Sequence, residues 1–126
     1  MILDSCFLID LMGNDRAAVA KLDELVDTAT PIGISTLTVT EVGSGLRNES
    51  GLAEFDAILD RMELIPFGAS ESRRAARLQR RLQDDGHPVG AVDVMIAATA
   101  LEHGRGVVTR NVSEFERIDD VRVSPY

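Results

Sequence analysis

Carboxylate and amide side chains stand at four places in the chain where an apolar segment begins or ends. Asp4 closes the apolar start of the sequence, and Asp93 lies early in a long apolar stretch. The other two places hold Glu41 and the pair formed by Asn111 and Glu114. Oxygen ligands with no histidine or cysteine beside them suit Mg²⁺ or Mn²⁺. Carboxylates that converge on one crevice repel each other without a cation, and a bound cation lets a phosphodiester enter.

Each of these side chains also has a local structural explanation. Asp4 fits the N-cap of the segment that follows it, and Asn111 fits the N-cap of the last helix. Two pairs have the spacing of a capping box, in which a hydroxyl and a carboxylate satisfy the first amides of a helix: Thr38 with Glu41, and Ser113 with Glu116. Capping is common, so it accounts for each residue taken singly. A functional site requires that these residues meet in space.

The stretch from Gly90 to Gly104 is predicted to be one helix, with a glycine at each end and almost no charge in its middle. At 3.6 residues per turn, one face of this helix carries Asp93, Ile96, Ala97 and Ala100. That face is expected to point into the protein. Burial of a lone carboxylate is costly unless the charge is paired or meets a metal. Alternatively, Asp93 complements the dipole at the start of the helix.

Hydrophobic periodicity and helix breakers predict strands that alternate with helices. The predicted strands are residues 1–4, Ile32–Leu37, Glu63–Phe67, Gly106–Thr109 and Val121–Val123. The predicted helices are Ser5–Met12, Asp15–Asp27, Thr38–Asn48, Gly51–Met62, Ser70–Asp85, Gly90–Gly104 and Ser113–Arg117. Core-facing positions in the second of these helices are Ala18, Leu22, Leu25 and Val26.

This alternation predicts an α/β fold with a parallel sheet, right-handed crossovers and helices on both faces. In such sheets the site lies beyond the carboxyl ends of the strands, where the strand order reverses. Asp4 follows the first strand and Asn111 follows the fourth. A switch between these two strands would bring both residues to one crevice. Pro66 within the third strand predicts that this strand forms a sheet edge.

Composition limits the class of protein. The chain has 126 residues, which is enough for one domain with its own core, and residues 1–126 are interpreted as a single domain. No apolar run approaches the ~18 residues of a membrane helix. The N-terminus lacks the pattern of a signal peptide, so a cytoplasmic protein is expected. Cys6 is the only cysteine and there are two histidines, which argues against an internal disulfide and a zinc site.

Charge at first argues against nucleic-acid binding. The net charge is −8, and Lys21 is the only lysine among 13 basic residues. Arginine over lysine with an excess of acid resembles the proteins of salt-loving organisms. Phosphates repel carboxylates, so any RNA role requires bound cations or a local basic patch.

Two basic regions are candidates for such a patch. The arginine-rich helix carries Arg73, Arg77 and Arg80 on one stripe, which is either a phosphate track or a solvated face beside acids of neighbouring helices. Arg110 is better placed, because it is next to Asn111. His87 and His103 are expected at the surface.

Four segments together resemble the PIN domain family. They are Ile-Leu-Asp-Ser at the start, Thr-Val-Thr-Glu-Val-Gly-Ser-Gly around Glu41, Val-Gly-Ala-Val-Asp-Val-Met-Ile-Ala-Ala-Thr-Ala around Asp93, and Val-Val-Thr-Arg-Asn-Val-Ser-Glu-Phe at residues 107–115. The resemblance covers essentially the whole chain and is greatest to the VapC-type toxin ribonucleases of toxin–antitoxin systems. It implies a three-layer α/β/α sandwich with a central parallel sheet and divalent-metal-dependent cleavage of RNA.

The resemblance also implies roles for individual residues. Asp4, Glu41 and Asp93 match the acidic positions of the family, and all three are carried over as candidate ligands of Mg²⁺ or Mn²⁺, with Asp4 and Asp93 as the first choices. Glu41 would bind through water or help to deprotonate the nucleophile. Asn111 matches a fourth position that is often aspartate, and Glu114 is a further acid nearby. Ser5-Cys6 departs from the usual Thr-Asn or Thr-Ser, and Asp10 is interpreted as peripheral support.

The implied partners are an RNA substrate, a small antitoxin protein and a second copy of the chain in a homodimer. Two alternatives remain within the same fold: an RNA-processing nuclease outside a toxin–antitoxin system, and a catalytically inactive PIN fold that only binds. A receiver-type signalling domain does not fit. It would need an aspartate after the third strand and a lysine after the fifth, but the third strand ends in Pro66-Phe67-Gly68.

Overall fold

A computed structural model describes all 126 residues. The strands are β1 (Ile2–Leu3), β2 (Gly33–Ser35), β3 (Glu63–Ile65), β4 (Val107–Val108) and β5 (Val123–Ser124). The helices are α1 (Ser5–Met12), α2 (Arg16–Asp27), α3 (Thr36–Gly43), α4 (Glu49–Leu59), α5 (Ala69–Asp84), α6 (Ala91–Glu102) and α7 (Val112–Phe115). None of the seven helices combines the length and the apolar composition that a membrane span requires.

The five strands form one parallel sheet in the order β3-β2-β1-β4-β5. The chain first builds outward from β1 through β2 to β3, and then crosses back to β4 on the other side of β1. The order therefore reverses between β1 and β4, which is the switch that would bring Asp4 and Asn111 to one crevice. The third strand, β3, lies at an edge of the sheet as predicted, and Pro66 follows it directly. The other edge is β5.

Alternating strand residues separate the core into two layers. Ile2 and Val107 pack with the buried faces of α5, α6 and α7. Leu3 and Val108 point the other way and pack with residues of α1 to α4 such as Phe7. Successive strand side chains point to opposite faces, so even these two-residue strands contribute to both layers. The predicted α/β/α sandwich is confirmed.

The helix at the centre of the prediction is observed with nearly the predicted bounds. Gly90 is its N-cap, and Gly104 follows its C-cap with a φ of 63°. That left-handed conformation is easily adopted only by glycine, so Gly104 fixes where α6 ends and the chain turns into β4. Ile96, Ala97 and Ala100 are fully buried, as their shared face predicts.

Several local predictions are wrong. Strand β2 ends at Ser35, whereas the prediction extended it to Leu37, and α3 begins at Thr36. The helix predicted to continue to Asn48 ends at Gly43. Val26, predicted to face the core, is 63% exposed on α2.

The two predicted capping boxes are also absent. The hydroxyl of Ser35 caps α3 by accepting from the amide of Leu37, so Thr38 lies inside the helix. At the last helix the cap position belongs to Asn111, one residue before Val112, so Ser113 is not a cap.

Candidate active site

Asp4 is placed by the junction of β1 and α1. Its amide donates to the carbonyl of Val108 in the neighbouring strand β4 at 3.1 Å. Its carboxylate Oδ1 accepts from the amide of Ser5 at 2.8 Å, and Oδ2 accepts from the Thr109 hydroxyl at 2.8 Å. The residue is only 4% exposed. Asp4 is thus both the N-cap of α1 and a buried carboxylate at the carboxyl end of the sheet.

Thr109 ties the two central strands together at this point. Its hydroxyl donates to Asp4 and also accepts from the amide of Asn111 at 2.9 Å. The Cys6 sulfur lies 3.4 Å from the same hydroxyl and 3.5 Å from Asp4 Oδ2. Neither Thr109 nor Cys6 was predicted to be a member of the site. A hydroxyl at the end of an apolar strand, two residues before Asn111, was the available signal.

Asp93 lies in the first turn of α6 and is half-buried. The side-chain amide of Asn111 donates to its Oδ2 at 3.1 Å. Asn111 stands at the N-cap position of α7, but its side chain makes no capping hydrogen bond. Asp93, predicted near the start of a helix, and Asn111, predicted to follow the fourth strand, therefore meet directly. The Asn111 side chain bonds to Asp93 and does not cap the helix.

The environment of Asp93 is strongly electronegative. Burial, together with the charges of Asp4, Glu114 and Glu41, raises the pKa of Asp93 from 3.8 to about 6, and the Asn111 hydrogen bond opposes the rise. Such a rise is expected when like charges share a site. Perturbed carboxylates of this kind are enriched at functional sites, although structural networks produce them too.

A polar crevice of about 320 Å³ opens beside these residues. It is lined by Asp4, Ser5, Cys6, Asp93, Arg110 and Asn111. It lies beyond the carboxyl ends of β1 and β4, which is the switch point of the sheet. The structure thus brings together Asp4, Asp93 and Asn111, three of the five predicted site residues.

The remaining two predicted site residues lie to the side of the crevice. Glu41 is exposed on α3 and lines a separate groove of about 390 Å³, together with apolar side chains such as Ile9 and Val42. Glu114 is half-buried on α7, with its carboxylate 3.6 Å from Arg117. Both acids raise the pKa of Asp93 through their charge, but neither lines its crevice.

Comparison with known proteins identifies the family of this chain. The sequence model of the PIN domain matches residues 1–121. A tRNA(fMet)-specific endonuclease VapC of Shigella flexneri is 30% identical over 129 residues, which cover 99% of this chain and 96% of the relative. The chain belongs to the PIN domain family.

Solved structures agree with this assignment. DNA-bound VapBC from Salmonella typhimurium contains a chain that matches this PIN domain with a TM-score of 0.89 and 28% identity, covering 98% of this chain and 96% of the other. A toxin–antitoxin complex from Klebsiella pneumoniae matches with a TM-score of 0.78 and 26% identity, covering 96% and 94%.

The donor atoms of this PIN domain suit a hard divalent cation only in part. No group of three or more His, Cys, Asp or Glu side chains is close enough to hold one ion. Magnesium, however, commonly binds proteins through one or two carboxylates and keeps several waters. Asp4 and Asp93 line one crevice, and the Asp93 Oδ1 atom has no hydrogen-bond partner in the protein. The two aspartates therefore fit such an ion, whereas Glu41 does not lie with them.

Basic residues around this PIN domain differ in their pairing. Arg74 bonds to Glu102 at 2.9 Å and Arg81 lies 3.9 Å from Asp119. The predicted stripe of Arg73, Arg77 and Arg80 is exposed and makes no ion pair. Both histidines are exposed, as predicted, and His103 Nε2 lies 3.1 Å from Glu71. Arg110 alone among the basic residues lines the crevice.

Proposed function

We propose that this protein is a divalent-metal-dependent endoribonuclease and the toxin of a toxin–antitoxin pair. The observation that carries the proposal is the meeting of Asp4, Asp93 and Asn111 in one crevice of a PIN domain. The relatives support the biological role, since one is named an endonuclease VapC and another is a toxin–antitoxin complex.

Asp4 and Asp93 are the proposed ligands of Mg²⁺ or Mn²⁺. When bound, such an ion polarises a phosphate and lowers the pKa of a water molecule. Thr109 and the amide of Ser5 hold the Asp4 carboxylate in place. Asn111 holds the Asp93 carboxylate toward the crevice while it adds no further negative charge.

Glu41 and Glu114 are proposed to act from the margin of the site. Both carboxylates contribute to the negative field at Asp93. Glu41 would reach a bound ion through water or accept a proton from the attacking water. Glu114 remains a candidate for the acidic role that Asn111 lacks.

The proposed setting is the cytoplasm, with residues 1–126 acting as one domain. The proposed partners are an RNA substrate, a small antitoxin protein that inhibits cleavage, and a second copy of this chain. Light scattering tests the homodimer separately, because a monomer at all concentrations would contradict it without affecting the chemistry.

Cleavage of RNA by the purified protein tests the function. Labelled RNAs, with initiator tRNA among them, should be cut in Mg²⁺ or Mn²⁺ and left intact in EDTA. Asp4→Asn should abolish cleavage, whereas Asp119→Asn, which removes a carboxylate from an exposed ion pair on another surface, should retain it. Undiminished cleavage in EDTA would contradict the metal-dependent mechanism. Binding of RNA without cleavage in either ion would favour an inactive binding module.

A further inference from the structure

A cluster of three side chains borders the crevice on the side of α1. Arg110 Nη1 lies 2.9 Å from Asp10 Oδ2 and 3.1 Å from Oδ1. The Tyr126 hydroxyl donates to the same carboxylate at 2.7 Å. The Asp10 side chain is 14% exposed, whereas that of Arg110 is 62% exposed. The largely buried carboxylate of Asp10 thus holds the guanidinium of Arg110, which is open to solvent.

Tyr126, which donates to Asp10, is itself packed against the core. Its ring packs edge-on against the buried ring of Phe7, with centroids 5.0 Å apart and an interplanar angle of 81°. Burial and the bond to Asp10 raise the pKa of the Tyr126 hydroxyl, so it stays a donor at physiological pH. Asp10 therefore accepts from two donors that are fixed by different parts of the fold.

This cluster occupies one edge of the Arg110 guanidinium and leaves another free. Both contacts with Asp10 use Nη1, and Nε and Nη2 have no partner in the protein. A guanidinium binds phosphate best through two parallel N–H bonds, and Nε with Nη2 forms such an edge. The Arg110 guanidinium is mostly in solvent, and an ion pair with so exposed a partner contributes little to stability, so a structural role alone does not account for the arrangement.

The position of Arg110 matters because the crevice is otherwise acidic. Asp4 and Asp93 line the same space, and the chain carries a net charge of −8. A polyanion that approaches these carboxylates is repelled unless a cation is held beside them. Arg110 is the only such cation that the chain itself supplies there.

We propose that Asp10 and Tyr126 are positioning residues that hold Arg110 at the crevice, where its free edge binds an RNA phosphate. Tyr126 acts through Asp10, and Asp10 acts through Arg110. The inference rests on the proposed function, since it assigns a substrate contact to the same site.

Binding of RNA without cleavage tests this chain of contacts. A fluorescein-labelled single-stranded RNA is titrated with protein in EDTA over a series of KCl concentrations, and affinity is measured by anisotropy. Arg110→Ala should weaken binding and reduce the slope of log affinity against log salt by about 1, the value for one lost phosphate contact. Tyr126→Phe is the informative variant, because it keeps the ring on Phe7, keeps the charge, and removes only the hydroxyl.

Tyr126→Phe should weaken RNA binding about three- to tenfold, the effect of one hydrogen bond. In the Arg110→Ala background the same substitution should have no further effect, because Tyr126 influences RNA binding only through Arg110. Arg110→Lys should not restore binding, since an ammonium lacks the two-pronged edge. Arg122→Ala removes another exposed arginine, which lies at the other end of the sheet, and should leave affinity nearly unchanged.

The remaining outcomes separate the two proposals. Equal losses from Tyr126→Phe with and without Arg110 would show a purely structural role and overturn the inference, as would an unchanged affinity of Tyr126→Phe. Wild-type protein that cuts RNA while Arg110→Ala binds normally would overturn the inference and leave the nuclease intact. Wild-type protein that neither binds nor cuts RNA would overturn both.

Discussion

The carboxyl group of Asp93 links the site to the pH dependence of folding stability. Burial and three neighbouring acids raise its pKa to about 6, so the folded protein disfavours its ionised form. The sign of the effect on stability follows from linkage. Below pH 3.8 the carboxyl is protonated in both states and costs nothing. As the pH rises from 3.8 to about 6, the unfolded state releases the proton that the folded state retains, so stability falls. Above pH 6 the full cost is present.

Replacing Asp93 by asparagine should therefore stabilise the metal-free protein while it abolishes cleavage. The net gain in the free energy of unfolding should be about 1 kcal/mol near pH 8, since water screens a half-exposed carboxylate and the lost dipole interaction opposes the gain. The gain should shrink as the pH falls below about 6 and vanish below 4. Urea unfolding in EDTA across this pH range measures it.

If Asp93 serves only to stabilise the start of α6, the opposite result is expected. Asp93→Asn would then lose about 0.3–1 kcal/mol at neutral pH and leave metal-dependent cleavage standing. Cleavage and unfolding measured on one preparation distinguish the two. A fully active Asp93→Asn protein would remove Asp93 from the metal site.

At Asp4, a structural role as the N-cap of a helix is compatible with a role in the site. Its carboxylate caps α1 through Ser5 and also accepts from Thr109 across the strand boundary. The capping interpretation that the sequence allows is thus correct for Asp4, yet it does not compete with a role in the site. At Asn111 the outcome differs, because the side-chain amide leaves the helix uncapped and bonds to Asp93.

At the scale of the elements, the helix boundaries that depend on hydrophobic periodicity and helix-breaking residues were predicted well from the sequence. α1 was predicted with its observed bounds, and α6 is bounded by the predicted glycines Gly90 and Gly104. Strand order was not predicted from the residues alone: a switch between the first and fourth strands was identified as the arrangement that would bring Asp4 and Asn111 to one crevice, and the sheet has that arrangement. Apolar periodicity and glycine geometry are local properties, so a single sequence reveals them.

Features that depend on distant contacts were not predictable in the same way. The hydrogen bond between Asp10 and Tyr126 joins residues 116 positions apart, and no local sequence pattern predicts it. The error at α3 has a different, local cause. The segment from Ile32 to Leu37 is rich in β-branched residues, but the strand ends at Ser35, whose hydroxyl caps α3, and this capping competes with strand propensity.

Two substitutions at α3 test the corrected boundary. Ser35→Ala should cost about 1 kcal/mol, because the Leu37 amide loses its capping oxygen. Thr38→Val should be neutral or stabilising, because the Thr38 hydroxyl is buried without a hydrogen-bond partner and valine has a similar shape. If Thr38 were the cap, the order of the two effects would be reversed. Urea midpoints of the two variants and the wild type decide between these boundaries.

At the scale of the whole molecule, the distribution of charge opposes both folding and RNA binding. The net charge is −8, and most of it lies on the surface. Some acids stand where a helix dipole also disfavours them: Asp27 ends α2, and Asp60 is the C-cap of α4. Negative charge near a helix C-terminus is destabilising, because the last carbonyls already carry partial negative charge. Salt should relieve both kinds of repulsion.

We therefore expect the melting temperature of the metal-free protein to rise with NaCl. Most of the rise should occur below about 0.3 M, because the Debye length has by then fallen below about 8 Å and surface charges no longer interact over long distances. Asp60→Asn should raise the melting temperature at low salt by the equivalent of about 0.3–1 kcal/mol and should reduce the response to NaCl. Sulfate provides the control, since its exclusion from the protein surface continues to stabilise at higher concentration. A melting temperature that is independent of NaCl, or equal salt responses in the wild type and Asp60→Asn, would show that self-repulsion does not limit the stability of this PIN domain.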